Sequence, residues 1–336
     1  MRSRSSFAPI ARLTCVEIPR QPALLLLTTT LILFIGLLPY LITHNLGEAG
    51  KLVRDSSLAV LFLGSLLLAV PSACNAVSSE IRRGTAGAIL SKPIGRIRFL
   101  AAKYTGVSTV MLVFTGMASL ATLMSDRAAS RDFHVGQEIL IPLYLAVAGA
   151  YILAALINFT TRRPFSSTAF WSMALLIPIA FVWTCFLDGL PSGSADLLHA
   201  GHTHASPSGN APIPIRWTLL PACFLIILAA LMIQALALLC ALRLGVVASL
   251  SLCTGFFLMG LMSDYLLADR MAEGELWARL TYTLLPNWQH FWMADALTGG
   301  GTVPWSYVGQ AAGYAFTWTA GLLCVALALF DRMEVR

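Results

Sequence analysis

Charge is what this chain has little of. Asp, Glu, Lys and Arg make up 11% of its 336 residues, less than half the roughly 25% usual in a soluble domain. Hydrophobic residues make up 57% and the mean hydropathy is +0.77, which excludes an ordinary water-soluble fold. Ten-residue stretches of alternating hydrophobicity are missing, which argues against a transmembrane barrel. A phosphate loop is also missing. The nearest approach, Gly47-Glu48-Ala49-Gly50-Lys51, has the wrong spacing and is followed by Leu52 instead of Ser or Thr. Any use of ATP would need an ATPase on another chain. No H-E-x-x-H, G-x-S-x-G or pair of intramembrane aspartates is present, so neither a protease nor another enzyme is expected. The apolar runs are nearly free of ionisable residues. Glu138, Asp188 and Asp264 fall at or near their ends, and Asn75, Asn158 and Gln234 are the notable neutral polar residues. Carriers driven by protons or sodium place such groups at mid-membrane depth, so their scarcity counts against that class.

What is present is a series of apolar runs. A bilayer core of roughly 30 Å needs about 20 residues per helix. Eight runs meet or approach that length: 23–43, 57–77, 104–124, 137–157, 166–187, 217–242, 245–265 and 305–330. The expected fold is a single all-α domain over 1–336, a polytopic transmembrane helical bundle of about eight spans. Met1–Gln21 carries four arginines and no apolar core, unlike a cleaved signal peptide. With the N-terminus inside and each run crossing once, 15 of the 22 Lys and Arg fall inside, against 4 of the 16 acids. That bias places both termini in the cytoplasm. It makes the basic balance a matter of topology and anionic lipid, with no aromatic–basic motif pointing to nucleic acid. The expected location is the cell (inner or plasma) membrane, with lipids as partners.

The connections differ in character. Residues 8–20 carry Ile10, Leu13 and Val16 at helical spacing and end at Pro19 and Pro22, the pattern of an amphipathic interfacial helix. The outer segment 188–216 is rich in Gly, Ser, Pro and His and holds His199, His202 and His204 as H-x-x-H-x-H. Imidazoles at that spacing can bind Zn, Cu or Ni loosely; a solvated polar loop is the plainer reading. In the outer segment 266–304, PNWQHFWMADAL reads as a short amphipathic helix after Pro286, with Trp288, Phe291 and Trp292 at interface spacing. Of the seven cysteines, six lie in apolar runs and none has metal-ligand spacing.

The longest polar interruption on the inner side is 78–103. Arg82, Arg83, Lys92, Arg96, Arg98 and Lys103 stand there against one acid, Glu80. Thr85 can cap a short helix from Ala86. Pro93 pushes Lys92 out of the helical region, ending it near Ser91. Ile89 and Leu90 then sit near the tip of a stub ringed by basic residues, a shape suited to a groove in a soluble partner. An ordinary basic loop is the alternative.

Glu80, Gly84-Thr85, Leu90-Ser91, Pro93, Arg96 and Lys103-Tyr104 resemble the pattern of ABC-type exporter permeases that lack a fused ATPase. The stretch with Glu17 and Arg20 resembles that family's elbow helix, and Phe330-Asp331-Arg332-Met333-Glu334 its usual C-terminal end. PNWQHFWMADAL resembles members linked to multicopper-enzyme maturation. The resemblance implies a six-span family core and a homo- or heterodimer of permeases. It also implies two ATPase subunits on the cytoplasmic face, which bind ATP-Mg, this chain having no cofactor of its own. Thr85–Ser91 would be the coupling helix, and Glu80, Gly84, Thr85, Ile89, Leu90, Ser91, Pro93, Arg96 and Lys103 would form the ATPase interface. The cargo expected from the span composition is lipidic or amphiphilic. The competing expectation is a non-transporting membrane anchor or assembly factor, aiding metal delivery to an extracytoplasmic enzyme through His199, His202 and His204.

Overall fold

The computed structural model describes residues 7–42, 49–82, 95–129, 135–188, 215–298 and 301–332. Among them every regular element is helical. In chain order these are α1 (Phe7–Glu17), a 3-10 turn (Ile18–Arg20), α2 (Pro22–Leu41), α3 (Ala49–Arg82), α4 (Arg96–Ala129), α5 (Gln137–Thr161) and α6 (Phe165–Asp188). A short 3-10 turn at Trp217–Leu219 leads into α7 (Leu220–Ala241), followed by α8 (Val246–Leu261), α9 (Ser263–Ala272) and α10 (Leu276–Leu284). A 3-10 turn (Trp288–Phe291), α11 (Ala294–Thr298) and α12 (Trp305–Asp331) complete the order.

Among the described residues, seven helices are long and apolar enough to cross a membrane: α2 to α7 and α12. The chain is a multi-pass, all-α membrane protein. The seventh apolar run, 245–265, does not become a full span. Its helix α8 has 16 residues, about 24 Å, short of a core of roughly 30 Å. Met262 leaves helical geometry, Ser263 Oγ donates to Gly260 O at 2.9 Å, and Asp264 turns toward Asn287. The polar contacts end the run early.

Spans α2 to α7 alternate in direction, and the short α8 carries the chain back so that α12 runs parallel to α7, its end meeting the start of α4. The bundle has two faces. The proximal face gathers α1, the start of α2, the end of α3, the start of α4 and the end of α12. The distal face gathers the start of α3, the end of α4 and the elements 262–298. Helices α3, α4 and α7 form the centre, with their most apolar windows 72, 67 and 72% buried, against 22% for α12. Inside the spans, hydroxyls return to their own helix: Thr115 donates to Met111 O, Ser119 to Thr115 O and Thr122 to Ala118 O. A membrane demands this internal satisfaction. It also lets Pro39, Pro71, Pro142 and Pro178 sit within helices.

Gly106 and Gly260 permit close approaches of one element to another. At Gly106 of α4 a Cβ would lie 2.7 Å from both Ala11 O and Thr14 Cβ of α1. At Gly260 of α8 it would lie 2.3 Å from Pro286 O and 2.7 Å from the Trp288 ring. The first docks α1 on the bundle. The second seats the 3-10 turn, burying Trp288 and Phe291 among Phe257 and Tyr314.

Candidate functional site

The polar interruption between α3 and α4 is fixed at its flanks. Gly84, Thr85, Ile89, Leu90, Ser91 and Pro93 lie outside the described residues, as do His199, His202 and His204. Glu80 lies on the last turns of α3. Arg96 and Lys103 lie on the first turns of α4, seven residues apart and so on one face.

That face meets the end of α12. The Arg96 guanidinium donates to the backbone carbonyls of Phe330 and Asp331, and its Nη1 lies 3.7 Å from Asp331 Oδ1. A cation at a helix C-terminus satisfies carbonyls that have no intrahelical partner and favours the negative end of the helix dipole. The same guanidinium lies 5.9 Å from the Phe330 ring. Phe330 stacks on Phe99 at 5.9 Å with planes 14° apart. Lys103, 1% exposed, places Nζ over the Phe99 ring, 6.0 Å from its centroid. The two cations and two rings form one cation–π column joining α4 to the last turn of α12.

The other flank is joined to the N-terminal segment. Asn75 of α3 donates to Gln21 Oε1 at 2.9 Å, and Ser166 of α6 donates to Arg20 O at 2.8 Å. Helix α1 lies against α4 one turn beyond Lys103, through Thr14 and Gly106. The side of α1 turned to the bundle carries Ile10, Ala11 and Thr14, whereas Leu13 is 58% exposed. Leu13 therefore does not share the inward face with Ile10. Against a backbone as close as Gly106 a compact Thr fits and a Leu does not. Leu13 is left facing outward. Burial raises the pKa of the Cys15 thiol on this helix above its ordinary value.

The distal face carries a second polar cluster that the apolar runs concealed. Asp126, buried at the end of α4, accepts from Arg54 Nε of α3 at 3.1 Å and lies 3.9 Å from Arg216 Nη1. Arg54 Nη1 also donates to Leu297 O at 3.0 Å. Next to it, buried Arg127 donates to Thr184 O at 3.4 Å, and Ser125 donates to Ile35 O at 2.8 Å. Below this cluster Asn287 Nδ2 donates to both carboxylate oxygens of Asp264 at 3.1 and 3.2 Å, while its backbone N–H donates to Tyr314 Oη. The available signal was opposite charge at matching depth on neighbouring antiparallel runs, Arg54 before one and Asp126 after the next. Trp288 and Phe291, expected at the membrane interface, are instead buried at 1 and 0% exposure. Residues 288–291 form a 3-10 turn and 294–298 a short helix, in place of one amphipathic helix.

No protein-family model, curated protein or solved structure matches the chain.

Proposed function

We propose that the chain is the membrane-spanning permease subunit of an ATP-driven ABC exporter. The proximal face is the cytoplasmic one, and a separate ATPase subunit docks on the segment around Gly84–Pro93. The observation that carries this reading is the basic interruption with Glu80, Gly84-Thr85, Leu90-Ser91, Pro93, Arg96 and Lys103. Its α4 flank is joined both to α1, through Gly106, and to the last turn of α12, through Arg96, and its α3 flank to Gln21 through Asn75.

That placement supports a mechanical role. A push on the segment reaches α4 through Arg96 and is shared with α12 through the Phe99–Phe330 column. It reaches α1 through the Gly106 contact. Coupling of this kind needs two arrangements of the spans that ATP-bound and ATP-free partners favour differently. A second permease copy completes the assembly, and the ATPase supplies ATP-Mg. A lipidic or amphiphilic cargo suits spans with so few ionisable residues.

The test is a native pull-down of the tagged full-length chain from mild detergent. A phosphate-loop ATPase is expected with the wild type and absent with Leu90→Asp. Well-folded protein that captures no ATPase contradicts the reading. It would favour a membrane anchor or assembly factor, whose own test is metal titration against a variant with His199, His202 and His204 changed to Ala.

A further inference from the structure

Toward the distal side, α4, α6 and α7 diverge around an apolar groove of about 640 Å³, within the roughly 300–1,000 Å³ of ordinary ligand sites. Gly116 borders it with open space where a side chain would stand. Leu112, Leu175 and Phe224 on its walls are 46, 60 and 47% exposed, so it opens on the flank of the bundle. Its polar groups are the Ser119 hydroxyl, committed to Thr115 O, the buried Cys223 thiol and the indole of Trp171. A void lined in this way does not hold water. In a membrane, hydrocarbon fills it.

The distal mouth of the groove has the opposite character. Leu123, Pro178 and Leu220 are the last lining residues on the three helices. One to two turns further stand Arg127 on α4, Thr184 on α6 and Arg216 before α7, with Arg127 bonded to Thr184 O across the gap. Arg216 is 45% exposed in its side chain and meets Asp126 through one nitrogen at 3.9 Å. Asp126 is already committed to Arg54 at 3.1 Å. Arg216 makes no other side-chain polar contact among the described residues. Its planar fork of donors suits a phosphate. Asp55 of α3 lies within reach of Arg54, Lys51, Asp295 and Asp126, and of these none lines the groove. Among the described residues at the mouth, Arg216 is the cation with an exposed side chain.

We propose that this groove is a binding site for one anionic phospholipid, its acyl chain between α4, α6 and α7 and its phosphate on Arg216. Charge complementarity at the mouth selects the headgroup, and the dry lining selects the chain. The site does not depend on an ATPase partner and stands or falls separately from the exporter reading.

The test uses the intact chain in nanodiscs doped with phosphatidylglycerol carrying a diazirine in its acyl chain. Photolabelled peptides are read by mass spectrometry. Labelling is expected on 112–123, 171–178 and 220–227 well above that on the equally lipid-facing Phe316 and Val325 of α12. It should fall in Ala174→Leu and Gly116→Leu, which fill the groove. Arg216→Gln should lower labelling about fivefold, the scale set by one basic residue at an anionic surface. The same variant should leave labelling by a phosphatidylcholine probe unchanged. Competition with unlabelled phosphatidylglycerol on the wild type gives the answer should a variant fail to fold. Equal labelling of every exposed helix face, or no competition, means annular lipid only and overturns the proposal.

Discussion

At the distal face Asp126, 2% exposed, is held between Arg54 and Arg216, and Asn287 binds both oxygens of Asp264. At the proximal face the corresponding ion pair, Arg96 with Asp331, is 36 and 60% exposed and 3.7 Å long. Helix α1 there is held by the packing of Thr14 on Gly106. Buried charges are costly to uncover singly, whereas an exposed pair contributes little. One end of the bundle is therefore fixed by its chemistry, and the other is joined loosely enough to shift. A membrane protein driven by a partner at one face needs that asymmetry: a hinge region that resists and a contact region that yields.

The sharpest way to break the comparison is at Asp126. Asp126→Ala leaves Arg54 and Arg216 facing each other without their carboxylate and should cost about 3–5 kcal/mol, read as a large drop in thermal stability of the purified protein. A change as small as that for an exposed pair would erase the distinction between the faces. Next is Gly106→Leu, which places atoms where Ala11 O and Thr14 Cβ already lie. Overpacking of this kind costs about 1–3 kcal/mol. It should lift α1 from α4, so alkylation of Cys15, slow because burial raises its thiol pKa, becomes faster; an unchanged rate would mean that α1 is not held there. Asn287→Ala removes the partner of Asp264 and should cost about 1–3 kcal/mol, with looser packing of Trp288 seen as a shift in tryptophan emission. The smallest effect is expected from Arg96→Ala, no more than about 1 kcal/mol in stability. Under the proposed exporter function, its larger consequence should fall on ATP hydrolysis by the partner ATPase that this chain stimulates. A stability loss equal to that of Asp126→Ala would show that the proximal face is locked too.

The spans were readable in the sequence because roughly 20 consecutive apolar residues carry their own signal. Their ends were not. The runs 57–77 and 104–124 are the middles of α3 and α4, each of 34 residues, about 51 Å. The extra turns hold Arg54, Asp126 and Arg127, whose pairing across helices no single segment reveals. Local spacing misled in two places for a related reason. Leu13 and Trp288 sit where amphipathic patterns suggest one face, but close backbone approaches at Gly106 and Gly260 decide which residue turns inward. Six of the nine proposed interface residues, Gly84 to Pro93, fall outside the described residues. Arg96 and Lys103 are brought onto one column with Phe99 and Phe330, a partnership that only the fold reveals.

The most direct measurement is site-specific photocrosslinking in intact cells, with a photoreactive residue at Leu90 in one variant and at Gly209 in another. A covalent adduct with a phosphate-loop ATPase is expected from position 90, and none from position 209. An ATPase adduct from position 209, or only non-ATPase adducts from position 90 in a folded, membrane-inserted chain, would contradict the exporter reading.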